Sequence, residues 1–126
     1  MKIYIAARYG RREHCQKLAK FLTELGHEIT SHWITSDEHI KGTPAECALI
    51  DFRDVMRCDT LVSLQEQPRD SVGQRGGRHV EFGMALASGK NVIVVGPRET
   101  IFRELEQVTH YATLEEFQDA ELGRPC

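Results

Sequence analysis

Residues 76–95 read GGRHVEFGMALASGKNVIVV. A two-glycine turn opens a helix-forming stretch over 78–88, Gly89 stops it, and NVIVV (91–95) follows at once. A strand apolar at successive positions, rather than alternate ones, is covered on both faces, as in a parallel sheet flanked by helices. Working upstream, TLVSL (60–64) is a strand of the same kind, joined to the helix by a long loop over 65–77 containing Pro68, Gly73, Gly76 and Gly77. KIYIAA (2–7) reads as the first buried strand. After a basic loop, Cys15, Leu18, Ala19, Leu22 and Leu25 recur at helical spacing, and Gly26 supplies the stop. HEITSHW (27–33) reads as a second strand, and 34–42 is polar and irregular. Thr43-Pro44-Ala45-Glu46 is a capping box with proline at the first helical position, which predicts a helix to about Arg57. Downstream, Gly96-Pro97 breaks the chain. A short helix near 101–106, a weak strand at 108–111 and a second capping box, Thr113-Leu114-Glu115-Glu116, complete the pattern.

Strands alternating with helices imply right-handed βαβ units. The expected fold is an α/β doubly wound sandwich, Rossmann-like or flavodoxin-like, with a four- or five-stranded parallel sheet. Ligands of such sheets bind beyond the carboxyl ends of the strands, where the strand order reverses. Here those ends lead into the loops at 8–12, 34–42, 65–77 and 96–98.

The chain has 126 residues and 14.3 kDa, so one domain over 1–126 is expected. With 40% hydrophobic and 28% charged residues it can build a core, which excludes general disorder. Sixteen basic against nineteen acidic residues leave a net charge of −3, which argues against a nucleic-acid binder or a polybasic membrane module. No apolar run approaches the roughly 20 residues that span a bilayer, and the first residues carry no secretion signal, so a soluble, cytoplasmic protein is expected. Cys15, Cys47, Cys58 and Cys126 form no CxxC pair, and the six histidines form no HExxH or zinc spacing. Neither a disulfide framework nor a metal site is expected. A Cys-x5-Arg string from Cys47 to Arg53 matches a phosphatase signature but falls inside a helix rather than on a strand-to-helix loop.

Three places carry chemistry. Arg8-Tyr9-Gly10-Arg11-Arg12 puts three arginines and a glycine ahead of a helix, which suits a phosphate or other anion; the alternative is a solvated basic turn. No GxGxxG and no GKS/T is present, so dinucleotide and P-loop readings fail. Glu81 follows the glycine turn in the expected first turn of its helix, where the dipole favours a carboxylate; an ordinary solvated glutamate is the alternative. On the helix before it, Asp51 sits at the edge of an apolar arc of Ala48, Phe52 and Val55, where a carboxylate needs a partner or a role. Asp54 is expected to project away into solvent. In the helix over 78–88, Val80, Gly83, Met84 and Ala87 share one face expected to meet the sheet. Phe82 and Leu86 point the other way, towards a neighbouring helix or a second subunit.

Tyr4, RYGRRE (8–13), Asp51, CDTLVSL (58–64) and GGRHVEFGMALASGK (76–90) together resemble the nucleoside 2-deoxyribosyltransferase superfamily, which includes the 2′-deoxynucleoside 5′-phosphate N-hydrolases. The resemblance runs from Met1 to about Phe117. It implies an enzyme acting on N-glycosidic bonds, with Glu81 as nucleophile, Asp51 as the catalytic aspartate and Tyr4 as the hydroxyl that holds the nucleophile. Arg8, Tyr9, Gly10 and Arg11 would receive a 5′-phosphate, as in the hydrolase branch, and Gly76, Gly77 and Arg78 would line the substrate. The resemblance implies no cofactor, a small deoxynucleotide or deoxynucleoside as partner, and a homodimer whose subunits complete one another's pockets. A deoxyribosyltransferase that exchanges bases and a non-catalytic nucleotide sensor on the same scaffold are the alternatives. The glycine turn departs from the superfamily pattern, reading Arg75-Gly76-Gly77-Arg78-His79 instead of a shorter Gly-Thr or Gly-Ser form.

Overall fold

A computed structural model describes residues 1–36, 42–65, 76–97 and 100–123. Five parallel strands form one sheet: β1 (Lys2–Ala6), β2 (Glu28–Ile29), β3 (Thr60–Leu64), β4 (Asn91–Val95) and β5 (Val108–Tyr111). Their order is β2-β1-β3-β4-β5, and the reversal of direction falls between β1 and β3. Among the described residues four α-helices connect or follow them: α1 (Arg12–Glu24), α2 (Pro44–Arg57), α3 (Gly77–Ala87) and α4 (Leu114–Leu122). The expected doubly wound α/β fold is what forms.

The central strands are the apolar runs read from the sequence. Ile3 to Ala6, all of β3 and Val92 to Val95 are buried. Tyr4 pairs in register with Leu61, and Leu61 with Val92. Fully buried strands of this kind supply most of the apolar area removed from water, at roughly 25 cal/mol per Å². α1 covers the sheet with Cys15, Leu18 and Leu22. α2 and α3 pack side by side, tied where Lys90 Nζ donates to the Met56 carbonyl (2.8 Å). At both boxes the N-cap bond forms: the Thr43 side chain accepts from Glu46 N, and that of Thr113 from Glu116 N, each at 3.2 Å. Gly89, at φ +74°, turns α3 directly into β4, a conformation that penalises any side chain.

Several expectations change. β2 is only two residues long, and Trp33, expected at its end, lies in a 3-10 turn over His32–Ile34. Trp33 is buried there because its indole N–H reaches the Ile5 carbonyl (2.8 Å). The faces of α3 are largely exchanged. Phe82 and Ala85 meet the core and Leu86 packs partly against it; of the face expected there only Met84 packs partly against the core, whereas Val80 is 63% exposed and Gly83 and Ala87 also face outward. Phe82 is therefore not a subunit contact. The reason is Arg103, whose guanidinium lies 3.7 Å from the Phe82 ring centroid and covers it within the same chain. On α2, Val55 is buried but Phe52 is 52% exposed and Ala48 is exposed, so the apolar arc lies elsewhere than expected. Asp54 is buried, not solvated, because His32 and Arg57 pair with it. Cys47 and Arg53 both lie within α2, as the helix reading of the Cys-x5-Arg string requires. Among the described residues no helix is long and apolar enough to cross a membrane.

Candidate active site

Tyr4 and Glu81 meet at the switch point of the sheet. Tyr4 lies in the middle of β1, fully buried, and β-strand alternation turns it to the face that carries α3. Its hydroxyl donates a hydrogen bond to Oε2 of Glu81. α3 begins at Gly77, so Glu81 stands in its second turn and not its first. The helix dipole therefore has little hold on this carboxylate. Burial dominates instead, pushing the Glu81 pKa up to about 8. A carboxyl group held near neutrality, with one polar contact from a buried phenol, is poised for chemistry.

Asp51 is half-buried on α2, the helix that packs beside α3. The loop after β1 folds as a 3-10 turn over Tyr9–Arg11, closed where Arg11 N donates to the Arg8 carbonyl (2.9 Å). The Arg8 side chain lies over Gly10, so close that a Cβ there would stand 2.7 Å from Nη1. Gly10 is thus needed for Arg8 to adopt this pose. Tyr9 is 52% exposed, and its ring is tilted 42° against Trp33 at 6.2 Å, with the Arg12 guanidinium 6.0 Å from its centroid. Gly76 and Gly77 are exposed where α3 starts, and Arg78 is buried in its first turn. The residues singled out from sequence thus come from the middle of β1, the loop after it and the first two turns of α3, with Asp51 on the adjoining helix.

Sequence reasoning missed the clamp beside this site. Buried Arg103 donates from Nη2 to Gln65 Oε1 (2.8 Å) and to His79 Nδ1 (3.2 Å), and from Nη1 to Thr100 Oγ1 (3.2 Å). An arginine only donates, so His79 Nδ1 must accept and the ring is held as its Nε2–H tautomer. Gln65 follows β3 and His79 lies in the first turn of α3, so one guanidinium ties the end of that strand to the helix that carries Glu81. No local signal marks this clamp, because His79 and Gln65 are 24 and 38 residues from Arg103 and only Thr100 is near it in the chain.

With this geometry in view, three solved structures superpose on nearly the whole chain. A CMP N-glycosidase of Clostridium botulinum, BcmB, matches with a TM-score of 0.70 at 21% identity, over 95% of this chain and 97% of its own. They share one fold. A 2-deoxyribosyltransferase of Bacillus psychrosaccharolyticus matches with a TM-score of 0.67 at 18% identity, over 94% and 91%. A conserved protein of Enterococcus faecalis matches with a TM-score of 0.65 at 16% identity, over 99% of each chain. No protein-family model and no curated protein matches the sequence.

Proposed function

We propose that this chain is an N-glycosidase that cleaves the base–deoxyribose bond of 2′-deoxynucleoside 5′-monophosphates. The observation that carries the reading is the Tyr4–Glu81 contact, a carboxyl pushed up by burial and set at the switch point of the sheet. In support, two proteins of the same fold are a CMP N-glycosidase and a 2-deoxyribosyltransferase.

Glu81, once ionised, attacks C1′ of the sugar. The C1′–N bond breaks, and its electron pair leaves with the base, which takes a proton from Asp51. Positive charge grows on the sugar as the bond lengthens, and a carboxylate poorly solvated in its resting state gains most from that charge. Water then attacks C1′, giving its proton to Asp51 and freeing Glu81. Tyr4 holds Oε2 so that the other oxygen is presented to the sugar. Arg8 and Arg11 receive the 5′-phosphate beside Gly10, the exposed Tyr9 ring flanks the substrate, and Gly76, Gly77 and Arg78 bound it on the α3 side. The reaction needs no metal or organic cofactor, and we place it in the cytoplasm.

The acting unit is a homodimer. Leu49, Phe52 and Met56 form an exposed apolar stripe on α2, at i, i+3 and i+7, and exposed Val80 stands on the neighbouring α3. Four large apolar side chains on two adjacent helices form the kind of patch that a two-fold partner covers.

Incubation with deoxynucleotides, ribonucleotides and deoxynucleosides, with and without a second free base, tests the reading. Release of free base from deoxynucleotides is the expected result. A requirement for the second base would make the chain a transferase, and binding without turnover would make it a sensor.

A further inference from the structure

The stripe of α2 that faces the turn after β2 carries a second cluster. Ile50, Arg53, Asp54 and Arg57 are spaced i, i+3, i+4 and i+7, which places them on one side of the helix. Such a stripe is ordinarily apolar where it faces its own domain, yet three of these four are charged. With His32 and Ser36 they line a cleft of about 280 Å³. None of the residues assigned to the Tyr4–Glu81 site lines it.

Asp54 organises the cleft. Its carboxylate is 3% exposed and accepts from the backbone N–H of His32 (2.9 Å) and from Nδ1 of the same ring (2.9 Å). Arg57 reaches its other oxygen at 3.4 Å with the same nitrogen that donates to the Thr30 carbonyl. A carboxylate only accepts, so Nδ1 of His32 carries a proton and the half-exposed ring presents Nε2 away from the pair. Among the described residues, Arg53, the other Arg57 nitrogens, His32 Nε2 and the Ser36 hydroxyl have no hydrogen-bonding partner. Among the described residues Asp54 is the one carboxylate lining the cleft, against the two arginines Arg53 and Arg57.

We propose that this cleft binds a phosphoryl group, as a small phosphate monoester or inorganic phosphate. Guanidinium groups donate in the paired geometry that phosphate oxygens accept. His32 and Ser36 line the same cleft beside these guanidinium groups. The cleft lies at or below the roughly 300–1,000 Å³ of pockets that enclose whole ligands, so it holds the phosphoryl group and little more.

The test is a titration of the nitrogen-15-labelled full chain with inorganic phosphate and, separately, with 2-deoxyribose 5-phosphate, at constant ionic strength set with sodium chloride. The expected result is a saturable shift of the His32 ring resonances. Because Arg53 is exposed and makes no hydrogen bond or ion pair among the described residues, Arg53→Gln keeps the fold and should weaken that binding about tenfold or more, the usual cost of a lost charge-assisted hydrogen bond. Tighter binding of the sugar phosphate identifies a monoester as the ligand, and equal binding identifies the phosphate alone. Shifts that chloride reproduces, that fail to saturate, or that persist unchanged in Arg53→Gln overturn the proposal. Glu81→Gln should leave the His32 shifts intact, so failure of the glycosidase reading and failure of this one are distinguishable.

Discussion

The phenol of Tyr4 and the carboxyl of Glu81, 77 residues apart in the chain, are hydrogen-bonded across the interface between β1 and α3. The contact joins a fully buried donor to an acceptor that burial makes reluctant to ionise. Loss of a proton from Glu81 therefore costs the fold something and makes the carboxylate reactive.

Replacing Glu81 by glutamine separates those two effects. Base release should be abolished, because a covalent catalyst is gone. Stability should move the other way. The Glu81 pKa is raised from 4.5 to about 8 in the folded chain, so between those values the native state holds a proton that the unfolded state does not. Wild-type stability therefore falls as pH rises through this window, by on the order of a few kcal/mol from this group. Glu81→Gln lacks that penalty. Its melting temperature should exceed that of the wild type by a margin that grows from pH 5 to pH 8, measured by thermal scans at each pH. A margin independent of pH would show that Glu81 ionises normally.

The same shift sets the pH profile of catalysis. If ionised Glu81 is the nucleophile and protonated Asp51 the acid, kcat/KM should be bell-shaped in pH, with one limb near 8 set by Glu81. Tyr4→Phe removes the donor to Oε2, which otherwise favours the ionised form, so that limb should move to higher pH. The rate should fall roughly tenfold to a hundredfold, as for the loss of a hydrogen bond to a charged group. A Tyr4→Phe enzyme with an unmoved profile would remove the hydroxyl from the mechanism.

Arg8→Ala and Arg11→Ala should each lower kcat/KM for deoxynucleotides by about tenfold or more while sparing deoxynucleosides. Parallel kinetics on a nucleotide and its dephosphorylated counterpart measure the difference. Equal losses on both would mean that these arginines shape the loop and do not read the phosphate.

Assembly distinguishes the two apolar faces of α3. Phe52→Glu and Val80→Glu alter exposed residues and should give folded monomers by light scattering. Phe82→Glu places a charge where 2% of the side chain is exposed, beneath Arg103, and should cost about 3 kcal/mol or more of stability. Folded monomers from Phe82→Glu, with dimers from the other two variants, would return the interface to the face read from sequence.

Short-range chemistry made much of this legible in advance. Buried strands declare themselves by unbroken apolar runs, as in residues 60–64 and 91–95, and both capping boxes act within four residues of chain. The alternation of these elements sets the parallel, doubly wound sheet. Tyr4, Asp51 and Glu81 were singled out through their place in a resemblance that runs from Met1 to about Phe117. What periodicity left undetermined was orientation. α3 has apolar residues on two sides, and either could have met the sheet until Arg103, arriving from beyond β4, covered Phe82. Asp54 looks solvated on a helical wheel, and becomes buried because the turn after β2 brings His32 against it, 22 residues away. Glu81 looked like a dipole-stabilised carboxylate, and is instead held near neutrality because β1 and α3 close over it. Local sequence determines which elements form and which side chains they bear. The direction in which an ambiguous face points, and the charge state of a group beneath it, depend on desolvation and on partners that only long-range packing supplies.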